Sequence, residues 1–271
     1  MPSLSMSVDS QQIERAWLDP NRIWSIGPGV AWQGLSGSVS VRTGASVDDS
    51  DLYGETHYSD IQFQLYGKKL GFDSFFQSYE GYFLRDLPAG CERGQACSLR
   101  RELEIEHAGL VAYYVLDPRW SMRAAFSPPD RQMHSAGSWF LSAGFNLLAI
   151  DNDGALVEGL SPPIDSSRLF MASVAPGYGY TWVREKWFIA SAFYLGGGPV
   201  YASYSTAEDN TDSVSGWELA LKAGFKLGAG YRGDTWQAGI HALADSPYVQ
   251  IEGVELQWVA QTVEIYTGRR F

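Results

Sequence analysis

Between Trp217 and Tyr231 every second residue is apolar or aromatic. Odd positions hold Trp217, Leu219, Leu221, Ala223, Phe225, Leu227, Ala229 and Tyr231; even positions hold Glu218, Ala220, Lys222, Gly224, Lys226, Gly228 and Gly230. A period of two predicts a β-strand, because successive side chains leave opposite faces of a pleated sheet. The stretch is longer than the roughly 5–6 residues usual in globular sheets. Its apolar face begins and ends on aromatics, as expected of a strand that crosses both lipid–water interfaces. A strand of a large soluble sandwich would alternate in the same way, so recurrence of the pattern decides between the two.

The pattern recurs along most of the chain. Residues 3–8 alternate briefly, and Trp24, Ile26, Pro28, Val30 and Trp32 alternate with small residues. Gln33-Gly34 predicts a tight reversal into 35–42, with Ser36, Ser38, Ser40 and Arg42 on one face and Val39 and Val41 on the other. In 58–66, Asp60, Gln62 and Gln64 oppose Ile61, Phe63 and Leu65, and Gly67-Lys68-Lys69 turns the chain into 70–83. Glu102, Glu104 and Glu106 oppose Leu103, Ile105, Val111, Tyr113 and Val115. Asp117-Pro118 predicts a tight turn into a strand of Trp120, Met122, Ala124 and Phe126, opposite Ser121 and Arg123. Further strands follow at 139–147, 170–183, 187–204, 217–231, 236–245 and 254 to the end. No helical-period stripe of useful length interrupts them, so the chain reads as all-β.

Short turns after residues near 32, 66, 116, 183 and 231 alternate with longer polar loops. A transmembrane antiparallel β-barrel places short turns in the periplasm and long loops outside. Counting 3–8 and 155–160 as strands gives 14, the preferred number; omitting both leaves about 12 and breaks the alternation midway. One domain, 1–271, is expected. Phe271 as last residue fits the aromatic terminus of barrels handed to the insertion machinery, although Thr267 and Arg269 stand where apolar residues are usual.

Composition sharpens this reading. No run of about 18 apolar residues is present, so no membrane helix is predicted, while a barrel would escape such a scan because half of each strand is polar. A net charge of −11 argues against nucleic acid, whose phosphates require clustered Lys and Arg. The expected setting is the bacterial outer membrane, with membrane lipids and lipopolysaccharide as surroundings, and residues 1–10 lack the features of a signal peptide. Cys91 and Cys97 are the two cysteines of the chain; in a small polar loop they predict a disulfide formed in an oxidising compartment. No cofactor is expected.

Several segments together resemble an uncharacterised outer-membrane family, domain of unknown function 4421. They are Pro20-Asn21, the Gly27/Gly29 strand with Trp32-Gln33-Gly34, Tyr53-Gly54, residues 60–73 (DIQFQLYGKKLGFD), Gly81-Tyr82-Phe83-Leu84, Tyr113-Tyr114-Val115, Arg131-Gln132, 135–138 (SAGS) and 176–180 (PGYGY). The resemblance spans roughly residues 20 to 195. It implies a barrel fold and carries no activity or catalytic residue.

Candidate chemistry is sparse. With Leu103 and Ile105 facing lipid, Glu102, Glu104 and Glu106 would line the lumen, where like charges require water or cations nearby. Arg42, Asp60, Gln62, Gln64, Arg123, Glu218, Lys222, Lys226 and His241 share the inward side by alternation. This predicts a narrow charged pore or channel, or else a structural barrel packed with internal ion pairs. The alternative is a membrane-embedded lipid hydrolase using His134 and Ser135 at the outer end of a strand. Adjacent strand residues point oppositely, so Ser135 would need another base, such as His57, His107 or His241, and the enzyme reading is disfavoured. A barrel that anchors a partner complex is a third possibility. The acidic loops at 48–51 and 208–212 lack the full ligand spacing of a Ca²⁺ loop, no metal site is expected, and Arg232-Gly233-Asp234 reads as a tight turn.

Overall fold

The computed structural model describes all residues except 1, 9–15, 22, 28, 33–34, 47, 88–89, 127–129, 157–163, 207–208, 252–253 and 270–271. Side chains are described for the rest, apart from 2–3, 6–8, 23–26, 29–32, 35–46, 206, 209–213 and 251. The hairpin β1 (Pro2–Val8) and β2 (Ala16–Pro20) comes first. Strands β3 (Ile23–Ile26) and β4 (Gly29–Trp32) each pair with β5 (Leu35–Ser46). A single helical turn, α1 (Ser50–Tyr53), precedes β6 (His57–Tyr66), β7 (Leu70–Leu84) and β8 (Leu99–Val115). A second short helix, α2 (Met122–Phe126), leads to β9 (Ala136–Asp151), β10 (Ile164–Arg184), β11 (Trp187–Thr206), β12 (Asp209–Arg232), β13 (Trp236–Ile251) and β14 (Val254–Arg269). The two-residue period at 217–231 lies within β12, the longest strand at 24 residues.

Ten strands close an antiparallel barrel in the order β2–β1–β14–β13–β12–β11–β10–β9–β8–β7, and β2 returns to β7 through Leu18↔Leu84, Asp19↔Phe83 and Pro20↔Tyr82. Ten replaces the fourteen expected from counting alternating segments. Short strands set end to end share one edge of a long neighbour: β7 pairs with β6 along Gly71–Glu80 and with β2 along Tyr82–Leu84. The change of partner falls at Gly81, whose φ of 90° is in the left-handed region. A Cβ there would lie 2.2 Å from the Glu55 carbonyl oxygen, so glycine is required by both conformation and space. Thr56 seals the junction, donating to Gly81 O (2.6 Å) and accepting from the Asn21 amide (2.9 Å).

Two other expected strands differ. Of the segment 155–160, Ala155 and Leu156 belong to the β9–β10 connection, where the Leu156 amide donates to Ile164 O at 2.7 Å; 157–160 lie outside the described residues. The segment 120–126 forms α2 rather than a strand. Ser121 caps it, its Oγ accepting from the Ala124 amide at 3.1 Å, which outweighs a two-residue period only seven residues long. The helix folds back into the barrel mouth, so Trp120, Met122, Ala124, Ala125 and Phe126 are all buried.

The described residues of connections 67–69, 116–135, 185–186 and 233–235 lie at one end of the barrel, here the turn end; those of 85–98 and 152–156 lie at the other, the loop end, where β11 and β13 also finish and β12 and β14 begin. Length does not sort the two ends as the alternation predicted. The connection 116–135 is long, and 207–208 and 252–253 are two residues each.

The interior changes character between these ends. Near the loop end it is apolar, built from Leu4, Leu18, Leu103, Ile105, Ile150 and Trp258 among others. Toward the turn end the outer face is apolar instead: Leu110, Tyr114, Leu141, Phe145, Ile189, Phe193, Leu221 and Leu227 are exposed, while charged and aromatic side chains fill the inside.

Candidate functional site

The candidate site is the ionic layer inside the turn-end half. Alternation along β12 sends Lys222 and Lys226 inward, where both are buried. Lys226 Nζ donates to Asp73 Oδ2 of β7 at 2.5 Å and to the Tyr66 hydroxyl of β6 at 3.4 Å. Tyr66 OH in turn donates to Asp73 Oδ1. The ammonium lies 5.0 Å from the Tyr113 ring centroid and 6.0 Å from that of Phe126, so aromatic faces supply part of the attraction lost with water. A second trio repeats the chemistry on neighbouring strands: Lys222 Nζ lies 3.1 Å from Asp245 Oδ2, and Tyr194 OH donates to Asp245 Oδ1 at 3.0 Å. Buried charges persist only when paired and hydrogen-bonded, and each trio meets that condition.

Position in the ring gives the first trio its consequence. β12 and β7 stand five places apart through β11, β10, β9 and β8, and on its other edge β7 is flanked at Asp73 by β6. The Lys226–Asp73 pair therefore crosses the interior from wall to opposite wall.

Below the pair, α2 and its flanks occupy the turn-end mouth. Trp120 Nε1 donates to Thr181 Oγ1 of β10 at 3.0 Å, and its ring stacks on Phe140 at 6.0 Å. Gly179 leaves the room for it, since a Cβ there would come within 2.2 Å of the indole. Arg232 Nη1 donates to the carbonyls of Ala124 and, at 2.7 Å, Asp130, with its guanidinium 4.0 Å above the Phe188 ring centroid. Arg123 pairs with Asp130. Above the ionic layer a cavity of about 30 Å³ is lined by His107, Asn146, Met171 and Trp258, among others. This is room for roughly two waters, and His107 Nδ1 and Trp258 Nε1 have no hydrogen-bond partner among the described residues.

The predicted lumen residues separate into groups. Lys222 and Lys226 come together in the interior as described. Asp60 is buried and accepts from Gln77 (3.1 Å) and Gln62 (3.2 Å), with Gln62 and Gln64 half-buried. His241 is half-buried, its ring 4.7 Å from that of Tyr266. Arg123 sits on α2, in the plug and not on a wall strand. Glu218 is exposed at the outer stretch of β12, and the side chain of Arg42 lies outside those described.

Glu102, Glu104 and Glu106 are exposed, while Leu103 and Ile105 are fully buried. The assignment of faces in this part of β8 is thus the reverse of the expected one. Leu103 and Ile105 belong to the apolar loop-end core, so the glutamates face outward to water.

His134 and Ser135 lie at the turn end, just before β9. Ser135 Oγ accepts from the Val183 amide at 2.8 Å, and His134 is exposed, an arrangement that pins the hydroxyl to backbone. Cys91 and Cys97 are disulfide-bonded. Asp49 caps α1 by accepting from the Asp51 amide at 2.9 Å; Glu208 and the side chains of 209–212 lie outside the described residues. Arg232-Gly233-Asp234 forms a tight turn, Gly233 N donating to Trp236 O at 2.9 Å.

Sequence reasoning missed Asp73, Tyr66, Tyr113, Tyr194, Asp245 and the inward role of Arg232. A signal existed for the two aspartates, each a lone carboxylate in an otherwise apolar or small stretch. Which lysine each would meet depends on barrel closure.

A family model described as domain of unknown function (DUF4421) matches residues 1–271. The chain belongs to that family. No curated protein matches the sequence. Among solved structures, the outer membrane protease OmpT from Escherichia coli is similar at 7% identity and a TM-score of 0.46, covering 99% of this chain and 96% of that one.

Proposed function

We propose that this family member is a structural, non-conducting barrel of the bacterial outer membrane, its lumen filled by its own side chains. The outer surface supports the membrane setting. Two aromatic rows bound an apolar band: Trp139 with Tyr178 (5.4 Å between ring centroids) and Trp187 with Tyr231 (5.3 Å) toward the turn end, Phe145 with Phe170 (6.0 Å) and Tyr201 with Trp217 (5.4 Å) above. The fifteen residues from Trp217 to Tyr231, with a rise of roughly 3.4 Å per step and a tilt of roughly 40°, span on the order of 35 Å vertically. That matches a hydrocarbon core of about 30 Å with part of its interfaces.

The observation that carries the non-conducting reading is the Lys226–Asp73 pair spanning opposite walls. An ion on the barrel axis would have to separate two buried charges whose further polar partner is the single Tyr66 hydroxyl, at a cost of roughly several kcal/mol from the desolvation of each ion. The α2 plug adds a second barrier at the turn end. The test is conductance in planar bilayers, using preparations whose folding is verified by a gel mobility that changes on boiling. Folded protein is expected to be electrically silent. Discrete ion-conducting steps from wild-type protein would sink the reading and restore the charged pore.

A further inference from the structure

We propose that the turn end of the barrel binds the phosphate headgroups of anionic phospholipids, through cations set beside its outward aromatic residues. The inference rests on the membrane reading above and adds to it a lipid class and a leaflet. It starts from a charge polarity along the barrel axis. Residues 67–69, 116–135, 184–186 and 232–235 hold eight Lys or Arg against four Asp or Glu. The described loop-end segments 48–56, 85–87, 90–98 and 152–156 hold two against seven. A chain of net charge −11 therefore carries a basic end.

Those cations sit at the level of the turn-end aromatic row. Lys69 Nζ lies 6.0 Å from the ring centroid of Tyr114, and the Arg269 guanidinium 6.0 Å from that of Trp236. Arg184 stands opposite Trp187 in the β10–β11 register, two residues beyond Trp182. Interfacial Trp and Tyr settle at headgroup depth, so a cation beside them meets lipid phosphate. Lys186 and Arg131 are already held by Asp234, at 2.7 and 3.3 Å. Lys68, Lys69 and Arg184, by contrast, are exposed and form no ion pair among the described residues.

The opposite aromatic row lacks this feature. Arg168, beside Phe170, is bound to Asp151 at 2.7 Å, and the next outward residues along β8 are Glu106, Glu104 and Glu102. Anionic headgroups are attracted at one end and repelled at the other.

The experiment reconstitutes the full chain in vesicles and measures tryptophan quenching by brominated phosphatidylglycerol against brominated phosphatidylcholine. Wild-type protein is expected to prefer the anionic lipid several-fold, with the preference lost in high salt. Each cation removed should cost roughly fivefold at most, so Lys68→Gln, Lys69→Gln, Arg184→Gln combined should quench nearly equally with both lipids. Equal quenching of the wild type, or a preference retained in the triple variant, overturns the proposal. Absence of a heat-modifiable form in either vesicle overturns the membrane reading and this inference with it.

Discussion

Strand β8 runs through both halves of the barrel, and its two faces exchange character on the way. In the loop-end half Leu103 and Ile105 point inward and Glu102, Glu104 and Glu106 outward, the arrangement of a water-soluble sheet. Farther along the same faces His107 and Tyr113 point inward, while Leu110 and Tyr114 are exposed. The inner face never changes parity; what changes is the outward face, charged in one half and apolar in the other. The loop-end half buries apolar surface against itself, gaining roughly 25 cal/mol per Å² removed from water. The turn-end half cannot gain in that way if its outer face meets lipid, so its interior relies on packing and on ion pairs such as Lys226–Asp73 and Lys222–Asp245.

The largest expected effect tests the ionic interior. Lys226→Met should destabilise the barrel by about 3–5 kcal/mol, since removing one member strands a buried charge. Lys226→Met with Asp73→Leu should recover most of that loss. Denaturant unfolding in detergent micelles measures both, and a double variant as unstable as the single one would show that the pair is not the source. Ile105→Ala, in the apolar loop-end core, is expected to cost about 2–5 kcal/mol by cavity formation. A loss under ~1 kcal/mol there would mean the loop-end half is not the packed body described.

Two substitutions on the outward face of β8 then locate the boundary between the halves. Leu110→Lys should cost about 2–4 kcal/mol, as for a lysine near the middle of a lipid-facing band. Glu104→Leu, six residues away, should change stability by no more than about 0.5 kcal/mol. Similar effects at both positions would erase the distinction.

The smallest effect lies in the turn at Asp117, outside the apolar band. Side-chain hydrogen bonds from Arg119, then a backbone bond, hold its carboxyl below the usual aspartate range. A depressed folded value stabilises above the unfolded pKa of about 3.9 and is lost as pH falls through the folded value. Asp117 lies at the surface and is only partly covered, so Asp117→Asn should flatten the acid limb of a pH–stability profile only slightly. A change extending to neutral pH would point to another group.

Much of the architecture was legible in the chain. Strict alternation across 139–147, 170–183, 187–204 and 217–231 permits only strands, because a period of two places every second side chain on one face. The inward direction of Lys222 and Lys226 followed from the aromatic-ended apolar face opposite them, and the cysteine pairing from having two cysteines in one loop. Alternation fixes two faces without saying which one is inside. Along β8 the glutamates looked inward because their apolar neighbours were matched to lipid, and only the loop-end core assigned Leu103 and Ile105 to the interior. The helix at Ser121 was hidden by a coincidence of spacing too short for period to decide, and its capping hydroxyl was the better guide. Strand number, the meeting of Lys226 with Asp73 across the ring, and the plug held by Arg232 are properties of closure. Closure brings together residues 153 positions apart, and a local pattern has no term for a partner so far along the chain.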